Sequence, residues 1–166
     1  MPDPRDALIL EVSEQVARSL QARSWRLATA ESCTGGWIAK ACTDLAGSSD
    51  WFDRGVVSYS YLAKESQLGV IHADLEEHGA VSEEIAAQMA LGLRRGSGAE
   101  ITLSATGIAG PGGGMPNKPV GLVCFAWSVR GGVLVTDSRV FEGDREAVRR
   151  QTVEHALRGV LDVLPD

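Results

Sequence analysis

Short apolar stretches alternate with longer amphipathic stretches along the first two-thirds of the chain, and this alternation restricts the fold more than any other feature. Apolar residues at helical spacing from Asp6 to Arg23 predict an amphipathic helix, and the apolar run "RLATA" after it predicts a short buried strand. The predicted helices cover residues 6–23, 35–44, 62–68, 82–94 and 144–164. The predicted strands cover residues 26–30, 56–60, 101–106, 122–129 and 133–141, and "WFDRG" at residues 51–55 is predicted to be a loop. Alternating strands and helices indicate a sheet that is covered by helices on both faces.

The last third of the chain departs from this alternation. The apolar runs "LVCFAWSV" and "VLVTDSRVF" flank the turn Arg130-Gly131-Gly132, which is typical of an antiparallel hairpin. The hairpin places at least one antiparallel strand in the sheet. The sequence therefore predicts a three-layer α/β/α sandwich with a mixed, mostly parallel sheet, formed as a single domain over residues 1–166.

The charge of the chain restricts its partners. The formal net charge is −6, whereas nucleic-acid-binding proteins usually carry a basic patch. The nearest thing to such a patch is the group Arg145, Arg149 and Arg150, which indicates a solvated helix face or a single anion site. We therefore expect a small-molecule ligand and no nucleic acid. We also expect no membrane partner, because no apolar stretch is long enough to span a bilayer and the first residues lack the apolar core of a signal peptide.

The cysteines predict the compartment. There are three, without paired spacing, which indicates a reducing environment, so we expect a cytoplasmic protein. No Cys-x-x-Cys motif or cysteine–histidine cluster is present, so the sequence predicts no metal site. We expect no cofactor. We also expect a homo-oligomer, because small α/β enzymes often associate.

Ligands of open α/β sheets bind beyond the carboxyl ends of the strands, and three predicted strand ends carry unusual residues. The first is "ESCTGG", residues 31–36, where a strand is followed by a helix. Free backbone N–H groups and the positive end of the helix lie close to such a junction. The junction can present Ser32 or Cys33 as a nucleophile with donors for an oxyanion, or it can bind a phosphate. It can also be an ordinary turn capped by Ser32 or Thr34, and the motif alone favours this last interpretation.

The second strand end carries "YSYLAK", residues 59–64. Parallel neighbouring strands would bring Lys64 close to Ser32. A lysine that loses water among apolar groups can become neutral and act as the base for a serine, and Tyr59 can relay or donate a proton in such a site. The alternative is a surface lysine, which is the common case for a lone lysine.

The third strand end carries "TGIAGPGGG", residues 106–114. Thr106 and the glycines, among them Gly107 and Gly110, allow the backbone to approach a ligand closely. The spacing does not match G-x-G-x-x-G and the P-loop lysine is missing, which excludes dinucleotide-type and Walker-type phosphate binding. The segment is either a flexible loop or a functional one, and a loop this long in a compact domain is more often functional.

Seven stretches of the sequence, taken together and in order, resemble the C-terminal domain of the CinA (competence/damage-inducible) family. They are "TAESCTGGWIAK", "AGSSDWFDRGVVSYSYLAK", "LGV", "HGAVSEEIAAQMA", "TGIAGPGGG", "KPVGLV" and "GDREAVRRQTVEHAL". The resemblance implies a three-layer α/β/α sandwich with a mixed sheet. Single-domain members are nicotinamide-nucleotide amidases, so it also implies hydrolysis of the carboxamide of nicotinamide mononucleotide to nicotinate mononucleotide and ammonia, in pyridine nucleotide recycling, without a metal or cofactor.

The resemblance also assigns residues to this chemistry. It implies that Ser32 is the nucleophile, that Lys64 is its base and that Tyr59 assists proton transfer. The substrate-binding residues that the matching motifs imply are Cys33, Thr34, Gly35, Gly36, Thr106, Gly107, Gly110 and Arg145. Backbone N–H groups of the turn would hold the oxyanion, while the glycine loop and Arg145 would hold ribose and phosphate. Tyr61 is a departure, because relatives often carry Asn at this position.

Three other functions compete with this interpretation. The chain is alternatively a nucleotide-binding module without catalysis, a competence-related or DNA-damage-related accessory protein, or an amidase that uses the thiol of Cys33. The acidic charge weighs against the DNA-related role. The combination of Ser32, Tyr59 and Lys64 weighs against a binding module. The resemblance, and not the residues alone, selects Ser32 over Cys33.

Overall fold

The computed structural model describes residues 1–166. Its helices are α1 (Pro4–Arg23), α2 (Trp37–Thr43), α3 (Tyr61–Leu68), α4 (His72–His78), α5 (Glu83–Ser97) and α6 (Arg145–Val163), with a 3₁₀ turn at Ser48–Asp50. Its strands are β1 (Leu27–Glu31), β2 (Phe52–Val57), β3 (Ile101–Gly107), β4 (Leu122–Val129) and β5 (Val133–Val140). None of the helices is both long enough and apolar enough to cross a membrane.

The strands form one sheet in the order β2-β1-β3-β4-β5. β1 pairs in parallel with β2 and β3, whereas β4 pairs antiparallel with both β3 and β5. Four strands therefore run in the same direction and β4 runs against them. Helices α1, α2 and α6 pack on one face of the sheet, and α3, α4 and α5 pack on the other. The predicted three-layer α/β/α sandwich with a mixed sheet is confirmed.

The start of the second strand was predicted wrongly. The predicted loop at residues 51–55 forms most of β2, and the strand ends at Val57 instead of continuing to Ser60. β2 lies at the edge of the sheet, where Asp53 and Arg54 stay exposed, so charged residues carry little penalty there and obscure the strand pattern. As a result, Ser58 and Tyr59 lie beyond the carboxyl end of β2, close to the ends of its neighbours. Helix α4 was missed altogether.

The strand register decides which side chains meet at these ends. Glu31, the last residue of β1, is paired with Val57 of β2 and with Ala105 of β3. Side chains alternate between the two faces of a sheet. Ala30 packs into the core beneath α3–α5, whereas Glu31 faces α2. The next residue, Ser32, therefore turns towards the α3–α5 layer, and Cys33 turns back into the core on the opposite face.

Candidate active site

The buried carboxylate of Glu31 joins the end of β1 to the start of α2. It is fully buried and accepts hydrogen bonds from the backbone N–H groups of Ile38 and Ala39, both at 2.9 Å. It also accepts from the hydroxyls of Thr34 at 2.7 Å and Thr29 at 3.2 Å. N–H groups in the first turn of a helix have no partner within the helix, so the carboxylate satisfies them and fixes the turn between strand and helix. The sequence analysis missed this role of Glu31. The feature that could have indicated it is an acidic residue directly before the turn "SCTGG".

Arg149 of α6 holds the same turn from the other side. Its Nε donates to the carbonyl of Cys33 and its Nη2 to the carbonyl of Thr34, each at 3.0 Å. Gly35 has φ of 59°, and a side chain there would lie 3.4 Å from the Arg149 guanidinium. Arg149 fixes the turn because it binds both carbonyls. The N–H groups of Cys33 and Thr34 donate to no backbone carbonyl. These two N–H groups are the available donors for an oxyanion next to Ser32.

The three arginines of α6 therefore do not share one solvated face. Arg149 binds the turn, whereas Arg150 faces α1 and pairs with Asp6 at 2.8 Å. Both guanidinium groups also lie over the ring of Trp37, at 5.5 and 5.1 Å from its centroid. Arg145 contacts Tyr59 and is described below with it.

The structure brings Ser32 and Lys64 into direct contact. Lys64, on α3, is 1% exposed, and its Nζ lies 2.8 Å from Ser32 Oγ. The same nitrogen lies 2.7 Å from the carbonyl oxygen of Ser58 and 3.4 Å from that of Tyr59. Burial lowers the pKa of Lys64 from 10.5 to about 8, and the neighbouring Cys33 opposes this only in part.

These three contacts can be made by either form of the amine: an ammonium can donate to all three oxygens, and the neutral form can be the base for Ser32. A neutral lysine has two N–H groups and one lone pair. The N–H groups can donate to the carbonyls of Ser58 and Tyr59, which leaves the lone pair to accept the hydroxyl proton of Ser32. The hydroxyl of Ser58, by contrast, is buried and has no hydrogen-bond partner in the protein.

Cys33 is placed away from this chemistry. It is 5% exposed, belongs to the hydrophobic core on the opposite face of the sheet, and burial raises the pKa of its thiol to about 12. A thiol must be deprotonated to attack a carbonyl carbon. Cys33 can therefore serve the site through its backbone, and the geometry favours the hydroxyl of Ser32 as the nucleophile.

Arg145 links the ends of two strands across the site. Its Nη2 donates to the phenol oxygen of Tyr59 at 3.1 Å, and its Nη1 donates to the carbonyl of Gly110 at 2.8 Å. Because β1 lies between β2 and β3, this link passes over the end of β1, where Ser32 lies. The Tyr59 hydroxyl makes no hydrogen bond with Ser32 or Lys64. Its predicted part in proton transfer stays a prediction.

Two residues predicted for substrate binding, Thr106 and Gly107, have structural partners in the protein, and their part in substrate binding stays a prediction. Thr106 is 1% exposed and its hydroxyl donates to the carbonyl of Ala80 at 2.9 Å. A Cβ at Gly107 would lie 2.7 Å from the side chain of Val123, so glycine allows β3 to pack closely against β4. Both residues hold the third strand end in place, and the structure gives neither a contact with Ser32.

Two adjoining cavities lie beside the turn. The larger has a volume of about 500 Å³ and is lined by Trp37, Pro111, Asp144, Arg145, Glu146 and Arg149. The smaller has a volume of about 310 Å³ and is lined by Thr34, Gly35, Gly36 and Lys40 together with the same Trp37 and Arg149. Cavities of this size accept small organic ligands. The sequence analysis did not single out Trp37, whose position between the two cavities depends on the packing of α2 against α6.

Comparisons with known proteins agree over almost the whole chain. The model of the family described as "CinA C-terminal domain" matches residues 9–164. The nicotinamide-nucleotide amidohydrolase PncC of Escherichia coli K12 is 49% identical over 153 residues, which cover 92% of this chain and 93% of that protein. The protein of the same name from Pseudomonas putida is 45% identical over 161 residues, which cover 97% and 98%. The crystal structure of the competence/damage inducible protein CihA from Agrobacterium tumefaciens superposes with a TM-score of 0.91 at 42% identity, covering 93% and 94%.

Proposed function

The chain belongs to the CinA C-terminal domain family, and from this premise we propose that it is an amidohydrolase that converts nicotinamide mononucleotide to nicotinate mononucleotide and ammonia. The observation that carries the proposal is the 2.8 Å contact between Ser32 Oγ and the buried amine of Lys64. The substrate follows from the name of the similar amidohydrolases. The site contains a hydroxyl, a buried amine and free backbone N–H groups, and in this proposal they act as nucleophile, base and oxyanion donors for the hydrolysis of an amide.

The first half of the reaction forms an acyl-enzyme. Lys64 Nζ takes the hydroxyl proton of Ser32 as Oγ attacks the carboxamide carbon. The carbonyl oxygen becomes an oxyanion, and the free N–H groups of Cys33 and Thr34 donate to it. Lys64, now an ammonium, gives its proton to the amide nitrogen. The carbon–nitrogen bond then breaks, ammonia leaves and an ester on Ser32 remains.

The second half of the reaction repeats these steps with water. Lys64 is neutral again after ammonia leaves, so it can take a proton from a water molecule that attacks the ester carbon. The same N–H donors hold the second oxyanion. Lys64 then returns the proton to Ser32 Oγ as the ester bond breaks, and nicotinate mononucleotide is released. The carbonyls of Ser58 and Tyr59 hold the lysine nitrogen in place in both halves.

The adjoining cavities hold the rest of the substrate in this proposal. Gly35 and Gly36 border the smaller cavity without side chains, and Arg145 in the larger cavity offers a guanidinium for the phosphate of the mononucleotide. The loop at Gly110 is fixed by Arg145 and closes the side towards β3. Fixing the ribose and phosphate keeps the carboxamide at Ser32. The role in pyridine nucleotide recycling, the cytoplasmic location and the homo-oligomer stay predictions.

Ammonia release from nicotinamide mononucleotide tests the proposal directly. We expect turnover by the wild-type protein, none by Ser32→Ala, and none by Lys64→Arg, because an arginine side chain does not deprotonate in proteins. Lys118→Arg is the matched control, because Lys118 contacts the carbonyl of His78 and not Ser32, and we expect it to be active.

The negative outcomes are equally informative. Binding of the mononucleotide by the wild-type protein without any ammonia release would make the chain a binding module. Near-normal turnover by Lys64→Arg would show that Lys64 contributes only its positive charge and that another group is the base.

A further inference from the structure

Tyr59 is held at both ends beside the nucleophile. Its carbonyl oxygen lies 3.4 Å from Lys64 Nζ, and this nitrogen lies 2.8 Å from Ser32 Oγ. Its phenol oxygen accepts a hydrogen bond from Arg145 at 3.1 Å. The aromatic ring therefore lies between its two anchors, the carbonyl oxygen beside Lys64 Nζ and the phenol oxygen at Arg145. The residue is 59% exposed, so the ring is not packed into the core and has surface available for a ligand.

The substrate under the proposed function places a positive charge in this space. The nicotinamide ring of the mononucleotide is a pyridinium cation, and the carboxamide is bonded directly to that ring. When the carboxamide carbon lies at Ser32 Oγ, the cationic ring must lie next to it, beside Tyr59. The face of an aromatic ring attracts a cation. Trp37 is less suited to this role, because the guanidinium groups of Arg149 and Arg150 already lie over its ring.

We propose that Tyr59 determines specificity by binding the positively charged pyridinium ring with its aromatic face. The hydroxyl serves to anchor the ring on Arg145, and it transfers no proton. This inference rests on the proposed function and specifies its substrate class further: a carboxamide on a cationic aromatic ring. The geometry supports it because the hydroxyl accepts a hydrogen bond from Arg145 and makes none with Ser32 or Lys64.

Two substrates and three variants test the inference. Nicotinamide mononucleotide carries the cationic ring, and its dihydro form has a neutral ring with the same carboxamide, ribose and phosphate. The variants are Tyr59→Phe, which keeps the ring, Tyr59→Leu, which removes it, and Tyr61→Leu as the control at a neighbouring exposed tyrosine. Dividing each variant's kcat/KM by the wild-type value for the same substrate cancels the different reactivities of the two substrates.

We expect Tyr59→Phe to keep kcat within about threefold. Tyr59→Leu should lose about twofold to thirtyfold in kcat/KM on the cationic substrate, mainly through KM, and much less on the neutral one. Tyr61→Leu should resemble the wild type on both.

Three results would overturn the inference. A loss of more than a hundredfold in kcat for Tyr59→Phe, with KM unchanged, would assign the hydroxyl to proton transfer. Equal losses on both substrates for Tyr59→Leu would show that the ring does not recognise charge. Absence of ammonia release by the wild-type protein would overturn the proposed function as well, whereas the first two results would leave it intact.

Discussion

Burial of Lys64 should make the free energy of unfolding depend on pH in a way that identifies this one side chain. The lysine is 1% exposed, and desolvation lowers its pKa from 10.5 to about 8. Each unit of pKa shift corresponds to about 1.4 kcal/mol, so burying the charged lysine destabilises the folded protein by about 3 kcal/mol. The same lowering of the pKa raises the neutral fraction of Lys64 at pH 7 from about 0.03% to about 10%. The neutral form is the one that can accept the proton of Ser32.

The sign of the effect follows from proton binding. Below pH 8, Lys64 is protonated in both the folded and the unfolded protein, so the full cost is present. Between pH 8 and 10.5 the unfolded chain binds more protons at this position than the folded one, and stability rises with pH. Above pH 10.5 the cost is gone. In Lys64→Met the charge is absent at every pH, so the wild-type free energy of unfolding minus that of the variant should rise by about 3 kcal/mol between pH 7 and pH 11.

Urea unfolding followed by tryptophan fluorescence measures this difference, because Trp51 and Trp127 are buried in the folded protein. The subtraction removes the contributions of other titrating groups, and the packing change caused by methionine adds a constant. Lys40→Met, which removes an exposed lysine paired with Asp44, is the matched control. A difference between wild type and Lys64→Met that stays constant from pH 7 to pH 11 would refute a lowered pKa and with it the neutral base.

Three further substitutions probe the site. Cys33→Ala should keep ammonia release within about threefold, because the thiol is buried with its pKa raised to about 12; inactivity of this folded variant would move the nucleophile to the thiol. Arg145→Ala should lose about tenfold to a hundredfold more kcat/KM on nicotinamide mononucleotide than on nicotinamide riboside, which has no phosphate; equal losses would mean that the phosphate is held elsewhere. Ser58→Ala should keep turnover within about threefold and leave the free energy of unfolding unchanged or raised by up to about 1 kcal/mol, because the backbone carbonyl holds Lys64 and the hydroxyl has no partner. A hundredfold loss of kcat in that variant would show that the hydroxyl takes part in the reaction.

Periodicity along the sequence was sufficient to predict the layers of the fold. Alternating strands and helices placed the sheet between two helical layers, and the late hairpin predicted the antiparallel part. The prediction that parallel neighbours bring Lys64 to Ser32 agrees with the 2.8 Å contact. The prediction of strand positions failed at β2, because an edge strand is not required to be apolar and "WFDRG" carries charges on its exposed side.

Local sequence patterns could not predict the contacts that fix the turn between β1 and α2. Arg149 reaches the carbonyls of Cys33 and Thr34 from a helix at the far end of the chain, and such a pairing depends on how α6 packs against α2. The direction of the Tyr59 hydroxyl likewise depends on Arg145, whose position is set by the start of α6. Sequence patterns identify which residues can carry the chemistry, whereas tertiary packing decides which partner each of them meets.

The central claim is that Ser32 attacks the carboxamide with Lys64 as its base. Mixing the wild-type protein with nicotinamide mononucleotide, quenching with acid within a single turnover and mapping the modified peptide by mass spectrometry tests it most directly. Near pH 8, where a large part of Lys64 is neutral, we expect a nicotinate mononucleotide acyl group on Ser32, and no adduct in Ser32→Ala. An adduct on Cys33, or ammonia release by Ser32→Ala at the wild-type rate, would contradict the claim.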